Sequence, residues 1–424
     1  MKKIVCLAVG VLCAATLIGC KGKTTTGFKP ALDTKTACDI KVVGDYKNFE
    51  ALEAEFARFN AYYPNVSLTY SKIDSYNDNI GNVLEREDKP NIFFTYAYMN
   101  GNEKYASVFE HTEILSNAAL KLDLDCIRPG LLNHDKDGNV VMVPVFSRTY
   151  GTLINQNLFE KEGLKVPTTW NELLEVSASF IEKEYKSPMM GYSLKDGGCL
   201  MNVIAYPSFL AALANNPEAL KKANDLDPSA GEFMREALNE VDQLVKNKAI
   251  DIDECDKIED NYEKVLFRFL DGDVPMMLCA GDTASGINKR AKDYKAYQDS
   301  PFQYTFNPIP VTDKGGYFID SPSVQFSVNK DCDNLDMTNE FMRFLVRKEE
   351  LSNMASLKGL VTPTKEMSFD PFYAPFSQIP TDRTFSPEAL GVKDSLVGQI
   401  RKAAFNVGRG TMTVDEAVAN YGKF

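Results

Sequence analysis

The feature that most limits the fold of this chain is an alternation of short β-branched runs with helical segments. The run DIKVVGD at residues 39–45 is followed by NFEALEAEFARFNAYYP, whose apolar residues recur at helical spacing from Phe49 to Phe59 before Pro64 ends the pattern. VSLTY, NIFFTYAYM and VVMVPVF continue the series as predicted strands. Strands that alternate with helices indicate an α/β fold with mainly parallel sheets.

The same pattern continues through the second half of the chain. YGTLIN at residues 150–155 predicts a strand, and Thr169 with Glu172 forms a T-x-x-E capping box that predicts a helix start. VPMMLCAGD, YTFNPIPV and SVQFSVN predict further strands, and NEFMRFLVRKEELSNMAS predicts a helical region near the C-terminus. Removing residues 1–19 from the 424 leaves 405, which is too long for one core, so we expect two lobes.

Residues 1–19 have the pattern of an export signal, with two lysines, an apolar run from Ile4 to Ile18 and a small residue before Cys20. LIGC resembles the lipobox of bacterial lipoproteins, and this resemblance implies cleavage before Cys20 and a diacylglycerol on its sulfur. Acyl chains would then hold the protein at the extracytoplasmic face of a membrane, either on the outer surface or in a periplasm. A plain secretory signal is the alternative. Residues 20–37 are predicted to be the lipidated cysteine and a flexible tether.

Charge and cysteine content exclude several kinds of partner and site. Without the two lysines of the signal, the formal charge of −12 becomes −14, which argues against a nucleic-acid partner. The folded body has no C-x-x-C motif, so no zinc, iron–sulfur or other metal site and no cofactor is expected. Export permits up to three disulfides among its six cysteines, and buried free thiols are the alternative. These cysteines are Cys38, Cys126, Cys199, Cys255, Cys279 and Cys332.

Four stretches, in order from about Ile40 to Pro363, resemble family 1 extracellular solute-binding proteins of ABC importers. The most specific is GNVVMVPVFSRTYGTLINQNLFEKEGLKVPTTWNELLE, and the others are NFEALEAEFARFNAYYPNVSLTY, FRFLDGDVPMMLCAGD and FMRFLVRKEELSNMASLKGLVTPTKE. The resemblance implies a type II periplasmic-binding-protein-like fold, similar to maltose-binding protein. Each lobe would be a mainly parallel sheet flanked by helices, and hinge segments would join the lobes. The implied first lobe is residues 38–147 plus 320–346, and the second is residues 148–319 plus 347–424.

Ligands of open parallel sheets bind beyond the carboxyl ends of the strands, and the family's matching stretches line a cleft. Aromatic faces there would cover the C–H face of a sugar, while Asp and Arg side chains would pair with its hydroxyls. Core packing is the alternative for each aromatic residue, and a helix cap or ion pair is the alternative for each charged one. The predicted ligand-binding residues are Asp45, Tyr46, Tyr76, Tyr98, Phe146, Arg148, Tyr150, Asp282 and Tyr317.

The resemblance implies a monomeric, lipid-anchored receptor that binds a small-molecule solute, most simply a carbohydrate, and delivers it to ABC permease subunits by hinge closure. ATP hydrolysis would belong to another subunit, because the chain has no G-x-x-x-x-G-K-[ST] loop. One departure concerns tryptophan, which sugar-binding members commonly use as a platform. The single Trp170 stands at a helix start, which leaves a smaller sugar, a more polar solute or tyrosine platforms.

Other functions have less support in the sequence. An amino acid, peptide or polyamine is the alternative solute, and a cell-surface glycan-active enzyme or adhesin is the remoter alternative. The chain has only two histidines, Ser285 lies in TASG without a nucleophile-elbow pattern, and no carboxylate pair stands out among 59 acids. HDKDGN at residues 134–139 is typical of a hairpin turn, because its glycine comes too early for a calcium loop. We therefore expect binding and not catalysis.

Overall fold

A computed structural model describes residues 27–191, 198–258, 262–367 and 371–424. The predicted signal, Cys20 and the first part of the predicted tether lie outside these ranges. The strands are β1 (Cys38–Gly44), β2 (Val66–Lys72), β3 (Ile92–Thr95), β4 (Val143–Pro144), β5 (Ser147–Arg148), β6 (Tyr150–Asn155), β7 (Met189–Gly191), β8 (Met276–Ala280), β9 (Tyr304–Asn307), β10 (Phe318–Ile319), β11 (Ser321–Pro322), β12 (Gln325–Val328) and β13 (Thr384–Phe385).

The helices cover more of the chain than the strands do. The α-helices are α1 (Glu50–Phe59), α2 (Tyr76–Leu84), α3 (Ala106–Glu110), α4 (Gln156–Glu162), α5 (Trp170–Glu182), α6 (Tyr206–Ala214), α7 (Pro217–Asn224), α8 (Arg235–Lys246), α9 (Ile252–Asp256), α10 (Tyr262–Leu270), α11 (Gly281–Ala291), α12 (Lys295–Asp299), α13 (Leu335–Leu345), α14 (Lys348–Lys358), α15 (Pro387–Leu390), α16 (Asp394–Gly408) and α17 (Val414–Ala419). A π-helix spans Leu200–Ala205, and short 3₁₀ helices span Ala97–Met99, Glu103–Tyr105, Ala118–Leu120, Leu124–Cys126, Pro129–Leu131, Pro228–Met234, Pro371–Gln378 and Thr381–Arg383.

Each lobe is built on one sheet. The first has the order β2-β1-β3-β12-β4, in which β1 is parallel to β2 and β3, whereas β12 is antiparallel to β3 and β4. The second has the order β7-β8-β6-β9, in which only β7 and β8 are parallel. Both sheets are thus mixed, not mainly parallel as predicted. The reason is that β6 and β12 directly follow the crossings between lobes, so they run away from the hinge while β1, β3 and β8 run towards it.

Two separate hydrophobic cores confirm the predicted two lobes, but the predicted boundary at residue 347 differs from the one in the structure. The first core takes in residues from Phe28 to Phe146 and from Val324 to Leu360, and the second takes in residues from Leu153 to Ile319 and from Val361 to Tyr421. Helix α14 packs along α1 in the first core, so the prediction that residues 347–360 belong to the second lobe was wrong. The cause is the apolar face of α14, which keeps the chain on the first lobe for one more helix.

The predicted flexible tether is also shorter than expected. Phe28 is buried in the first core, with 7% of its surface exposed, and the backbone N–H of Ala31 donates to Glu340 Oε1 at 2.8 Å. From residue 28 onward the segment is therefore packed on the first lobe, because its aromatic side chain finds a site between α1 and α13.

Two local predictions are confirmed by side-chain hydrogen bonds. The Thr169 hydroxyl accepts the backbone N–H of Glu172 at 3.3 Å and starts α5. In the predicted hairpin turn, the carboxylate of Asp135 accepts the backbone N–H groups of Asp137 and Asn139 at 2.9 and 2.8 Å. Short-range patterns of this kind need no tertiary contact, so they can be identified from sequence.

The chain passes between the lobes three times, and the three passages touch. Strands β5 and β11 pair as antiparallel partners, and Ser147 also forms a bridge with Val361 of the third passage. These segments form the hinge of the molecule.

All six cysteines of the folded body are free thiols, so the structure has the second of the two alternatives left open by the sequence. Over the four described ranges, no helix combines the length and the apolar character that crossing a bilayer requires. The same ranges contain no group of three or more His, Cys, Asp or Glu side chains suited to a metal ion.

Candidate functional site

The carboxyl ends of β1 and β3 bring one aspartate, Asp45, and two tyrosines, Tyr96 and Tyr98, to the edge of the first lobe. The rings of Tyr96 and Tyr98 are stacked, with centroids 5.4 Å apart and an interplanar angle of 5°. Tyr96 also hydrogen-bonds to Asp45, and burial raises the pKa of that carboxyl against the effect of this bond. Because Tyr98 is 40% exposed, its ring is open to a ligand on the outer side of the pair.

The second lobe brings a cation, an aromatic ring and a carboxylate to the same region. Tyr150 pairs with Ala280 across β6 and β8, so the turn into α11 places Asp282 beside the hinge. Arg148 Nη1 lies 3.8 Å from Asp282 Oδ2, and its guanidinium carbon lies 5.7 Å from the centroid of the Tyr150 ring. Arg148 therefore lies between the Asp282 carboxylate and the Tyr150 ring.

Lys358, at the end of α14, joins the two groups. Its ammonium lies 3.9 Å from the centroid of the Tyr46 ring, while its backbone carbonyl accepts the Ser285 hydroxyl of the second lobe at 2.7 Å. Burial, reinforced by the Lys289 ammonium, lowers the pKa of Lys358 to about 8, and acids including Asp282 oppose this shift. Asp45, Arg148, Asp282 and Lys358 thus place negative and positive groups side by side between the lobes, and we call this region the floor.

A cavity of about 570 Å³ is lined by residues of both lobes, and its Glu388 lies close enough to Arg148 to interact with it electrostatically. Its size is within the range of small-molecule binding sites. The first lobe contributes Ala97, Tyr98, Asn100, Gly101, Asn102 and Asn133, and the second contributes Tyr206, Pro387, Glu388, Val392, Lys393, Asp394 and Val397. Three amides and a tyrosine thus face two carboxylates, a lysine and a second tyrosine.

Glu388 is the most perturbed acid of this cavity. Burial raises the pKa of Glu388 to about 7, and the Asp320 carboxylate acts in the same direction. The Ser386 hydroxyl, 3.3 Å away, and the Arg148 guanidinium oppose the shift. Glu388 therefore changes its charge near neutral pH.

The position of Tyr206 follows from a local irregularity. The π-helix Leu200–Ala205 runs directly into α6, whose second residue is Pro207. Proline has no N–H to donate, so it suits the first turn of a helix, and π-helical turns are frequently found at functional sites. This transition puts Tyr206 at the cavity wall.

These side chains offer complementary kinds of contact. The tyrosine faces can stack on an apolar ring face, and the carboxylates, amides and cations can hydrogen-bond to hydroxyl groups or to charged groups.

A family model described as bacterial extracellular solute-binding protein matches residues 54–381. The chain belongs to this family. No curated protein matches the sequence closely enough to add a relative.

Solved structures show the same fold for this solute-binding protein. A complex of the solute-binding protein RafE with raffinose is 19% identical, covers 91% of this chain and 99% of that one, and has a TM-score of 0.68. The GacH receptor of Streptomyces glaucescens, solved unliganded and with acarbose, is 18% identical over 92% and 97% of the chains with a TM-score of 0.66. A sugar transporter from Bacillus licheniformis in complex with stachyose is 16% identical over 91% and 98%, with a TM-score of 0.61. At these identities the similarity shows the two-lobe, type II fold.

The structure brings six of the nine predicted residues of the solute-binding protein together. Tyr98 belongs to the lining of the cavity, and the other five lie close to one another beside the hinge, namely Asp45, Tyr46, Arg148, Tyr150 and Asp282. Their role in binding stays a prediction.

Two of the predicted residues are core residues instead. Phe146 is 0% exposed, and its ring lies 5.9 Å from that of Phe49. Tyr76 is also buried, and its hydroxyl donates to the Phe94 carbonyl at 2.7 Å. Both side chains are buried in the first core, although the Tyr76 hydroxyl lies close enough to Asp45 and Tyr98 to interact with them electrostatically.

Tyr317 lies in a different part of the second lobe. It lines a separate cavity of about 470 Å³ with Asp382, Arg383 and Phe385, and its ring centroid is 5.5 Å from that of Phe385. Tyr317 was predicted to reach the cleft because it lies close to a crossing between the lobes in the sequence. Strand β10, which follows it, pairs with β13 and turns the chain away from the cleft.

Three cleft residues were not predicted from sequence, namely Lys358, Tyr206 and Glu388. Each is brought to the cleft by tertiary packing of its helix, with α15 packed on the 3₁₀ helix Pro129–Leu131 of the first lobe, α14 along α1 and α6 within the second core. The Pro after Tyr206 and the Gly after Lys358, which has a φ of 69°, mark a helix start and a helix end and are the only local signals.

A buried ion pair ties the hinge passages together. Arg128 donates from Nε and Nη2 to Asp320 at 2.7 and 2.9 Å, and from Nη1 to the carbonyls of Thr362 and Thr364 at 2.7 Å each. The Ser147 hydroxyl donates to the same carboxylate. The Arg128 guanidinium therefore links Asp320 of the second passage to Thr362 and Thr364 of the third. The Asp320 carboxylate also binds Ser147, which belongs to the first passage.

Proposed function

We propose that this solute-binding protein is the substrate-binding component of an ABC importer and captures a carbohydrate in the cleft between its lobes. The observation that carries the proposal is a cavity with tyrosines on both lobes and hydrogen-bonding side chains between them. Binding and release need no catalytic group, so the role is transport and not catalysis.

A carbohydrate suits this cleft for two reasons. Tyr98 lines the cavity and is 40% exposed, so its ring could cover one face of a sugar, whereas Tyr206 on the opposite wall is 6% exposed and offers little of its ring. Asn100, Asn133 and Glu388 supply acceptors and donors for hydroxyls around the ring edge. Neighbours with the same fold were solved with raffinose, stachyose and acarbose, which agrees with this class.

Closure by hinge rotation would couple binding to delivery. A ligand that contacts both lobes stabilises only the closed arrangement, so its binding energy shifts the equilibrium between open and closed states. The closed protein would then be the form that the permease recognises.

The first experiment is a thermal-shift screen of the soluble body, without the signal and Cys20. Raffinose, stachyose, acarbose and simple sugars are compared with amino acids, peptides and polyamines, since a ligand that binds only the folded state raises the melting temperature. A rise of several degrees with one sugar class, confirmed by calorimetry, is the expected result. A rise with non-sugars alone would overturn the carbohydrate assignment.

A cationic solute such as a polyamine is the second candidate. Four carboxylates border the cleft, namely Asp45, Asp282, Glu388 and Asp394, and they could hold ammonium groups. Arg148 and Lys358 offset part of this charge, which favours the neutral sugar. Salt distinguishes the two, because a polyamine would be displaced by raised ionic strength and a sugar would not.

We also propose that Cys20 carries the lipid anchor that keeps the receptor at the extracytoplasmic face of the membrane, where it acts as a monomer beside its permease. The support is the LIGC boundary after an apolar run. Cys20→Ser should move the protein from the membrane fraction to the soluble fraction, and continued retention in the membrane would contradict lipidation.

A further inference from the structure

Two serine hydroxyls of the second lobe donate hydrogen bonds to backbone carbonyls of the first lobe. Ser386, directly before α15, donates to the Gly130 carbonyl, and Ser285, in α11, donates to the Lys358 carbonyl at 2.7 Å. We call these two contacts the interlobe bridges. Because both acceptors are backbone groups, the bridges fix the positions of chain segments and not only those of side chains.

The first bridge is a close contact that requires glycine. A methyl group on Gly130 would lie 2.9 Å from Ser386 Cβ, 3.0 Å from Ser386 Oγ and 3.2 Å from Ala389 Cβ. Carbon atoms in contact are normally about 3.5–4.0 Å apart, so a larger residue would push α15 away. The φ of Gly130 is not positive, so the close approach of the two lobes, and not the backbone conformation, is what requires glycine here.

Each side of the first bridge is fastened to its own lobe. Leu131, next to Gly130, is buried in the first core. Helix α15 follows β13, which pairs with β10, and the Asn224 side chain of α7 donates to the Gly391 carbonyl and accepts the Lys393 N–H, both at 2.9 Å. The first bridge therefore joins one lobe to the other and not two independent loops.

The second bridge is built in the same way. Gly359 follows Lys358 at the end of α14 with a φ of 69°, and a methyl group on it would lie 2.9 Å from Ser285 Oγ. Helix α14 packs in the first core, whereas Ala284 and Ile287 on either side of Ser285 belong to the second. A glycine thus again lets a serine of one lobe approach a carbonyl of the other.

Each bridge also places one charged residue of the cleft. Glu388 follows Ser386 by two residues, and its Oε2 lies 3.3 Å from the Ser386 hydroxyl. The carbonyl of the second bridge belongs to Lys358, whose ammonium lies over the Tyr46 ring. Glu388 lines the cavity, but Gly130 and Ser386 do not belong to its lining. A change in a bridge would therefore move cleft groups without removing a contact to the solute.

We propose that the interlobe bridges hold the two lobes in the arrangement that forms the cleft, and that Gly130, Ser285 and Ser386 are positioning residues for solute binding. The part of this inference that concerns affinity rests on the proposed function, whereas the joining of the lobes does not. A solute binds only to the fraction of molecules in which the cleft is formed, so a weaker bridge raises the apparent Kd.

The first test measures the first bridge on the mature chain without solute, by amide hydrogen exchange and mass spectrometry. Gly130→Ala should make exchange at least about threefold faster in residues 126–133 and in residues 386–392, because opening exposes amides on both sides of the contact. Gly398→Ala in α16, where the added methyl group meets open space, is the matched control and should change neither segment. Unchanged exchange in Gly130→Ala, or a rise confined to residues 126–133, would overturn the proposal.

Two further variants separate the bridge from local strain. Ser386→Gly combined with Gly130→Ala removes the side chain that the new methyl group meets, and exchange in residues 126–133 should return at least halfway to that of the parent. Ser386→Ala alone removes the donor and also the cap of α15, where the hydroxyl accepts the Ala389 N–H at 3.4 Å. Loss of the cap acts on α15 only, so faster exchange in residues 126–133 is the diagnostic result. No change there would overturn the proposal even if Gly130→Ala did not fold.

Ser285→Ala tests the second bridge with the same measurement. It removes the donor to the Lys358 carbonyl, so exchange should become faster in residues 355–361, which lie on the opposite side of the contact. Unchanged exchange in this segment would overturn the second half of the proposal.

The last test measures affinity by calorimetry, with raffinose as the probe. Gly130→Ala should weaken raffinose binding by about three- to tenfold, and Gly398→Ala should not. Faster exchange with unchanged affinity would overturn the positioning role. If raffinose does not bind the parent protein, the proposed carbohydrate function is in question, and the exchange results alone decide whether the bridges hold the lobes.

Discussion

Two buried carboxylates of this solute-binding protein, Glu340 in the first lobe and Glu240 in the second, lie in opposite environments. In the first lobe, Glu340 and Glu350 are paired with arginines, with Arg343 and Arg347 at 2.8 and 3.0 Å. In the second lobe, Glu240 is equally buried, but its partner is the Ser208 hydroxyl at 2.6 Å. The guanidinium lowers the pKa of Glu340, whereas burial raises that of Glu240 to about 8.

The difference teaches that the charged partners of a buried acid, and not the lobe that holds it, decide whether the acid stays ionised near neutral pH, since burial and the Glu350 carboxylate raise the pKa of Glu55 in the first lobe as well. An arginine beside a buried acid compensates the loss of water, so the carboxylate stays ionised. A hydroxyl compensates less, so the acid takes up a proton instead. Glu388, on the cleft wall of the second lobe, follows the second pattern. We expect pH to act on this protein through Glu55 in the first lobe as well as through Glu240 and Glu388 in the second.

The largest expected effect comes from breaking the arginine pairing of the first lobe. Arg343→Ala leaves the buried Glu340 without its cation, and we expect a loss of about 3–4 kcal/mol in the free energy of unfolding. Denaturant unfolding at pH 7 measures it. The matched control is Arg235→Ala in the second lobe, where Arg235 also pairs with a glutamate three residues earlier, Glu232, but on the surface. That change should be too small to resolve, and equal losses would contradict the role of burial.

A smaller effect is expected from Glu240 in the second lobe, and it depends on pH. Between pH 4.5 and about 8 the folded state holds a proton on Glu240 that the unfolded state has released, so the free energy of unfolding falls as pH rises through this window. Glu240→Gln should remove this slope and be more stable than the parent at the upper end by roughly 2 kcal/mol. Unfolding curves at several pH values measure the slope.

Glu340→Gln tests the other side of the comparison. In the parent protein the pKa of Glu340 is lowered in the folded state. The ionised carboxylate therefore stabilises the fold at neutral pH, and this contribution is lost as pH falls through the acidic range. The two variants should therefore change the pH profile with opposite signs. The same sign for both would contradict the contrast between the two carboxylates.

The third prediction concerns Arg148, which belongs to the hinge and to neither core. Arg148→Ala removes a charged donor from the cleft floor, and we expect the Kd of the solute found in the screen to rise at least about tenfold. Calorimetry measures the Kd, and the melting temperature without solute should stay close to that of the parent. An unchanged Kd would remove Arg148 from the binding site.

The smallest expected effect separates the two walls of the cleft. If ionised Glu388 accepts a hydrogen bond from the solute, affinity should rise by about three- to tenfold as pH increases through about 7. Glu388→Gln should make the affinity independent of pH in this range. Asp45→Asn, on the first-lobe wall, is the comparison and should leave the pH dependence caused by Glu388 in place. A pH slope that survives in Glu388→Gln would assign the titration to another group.

Much of the fold could be predicted because its signals are local. The strand YGTLIN coincides with β6, and the start of α5 lies at its capping threonine. Other predictions were only partly right. VVMVPVF predicted a strand of seven residues, but only Val143–Pro144 pairs in the sheet, and NEFMRFLVRKEELSNMAS forms two helices that break at Val346. Hydrophobic runs report burial, and burial alone does not say whether a neighbouring strand is present.

The candidate site was likewise only partly predictable from the sequence. Asp45, Tyr98 and Asp282 could be selected because each directly follows a strand, and strand ends meet at a cleft. Phe146, which was selected at the crossing between the lobes, is buried, because the direction of a side chain there depends on how the lobe packs.

Periodicity, capping and turn residues thus determined the elements, the two lobes and one end of the cleft, since each acts over a few residues of sequence. The tertiary structure alone decided that α14 belongs to the first lobe, that β6 and β12 reverse their sheets, and that Glu388 and Lys358 reach the cleft. These outcomes depend on contacts between segments far apart in the chain, such as Lys358 on Tyr46, and no short window of sequence contains both partners.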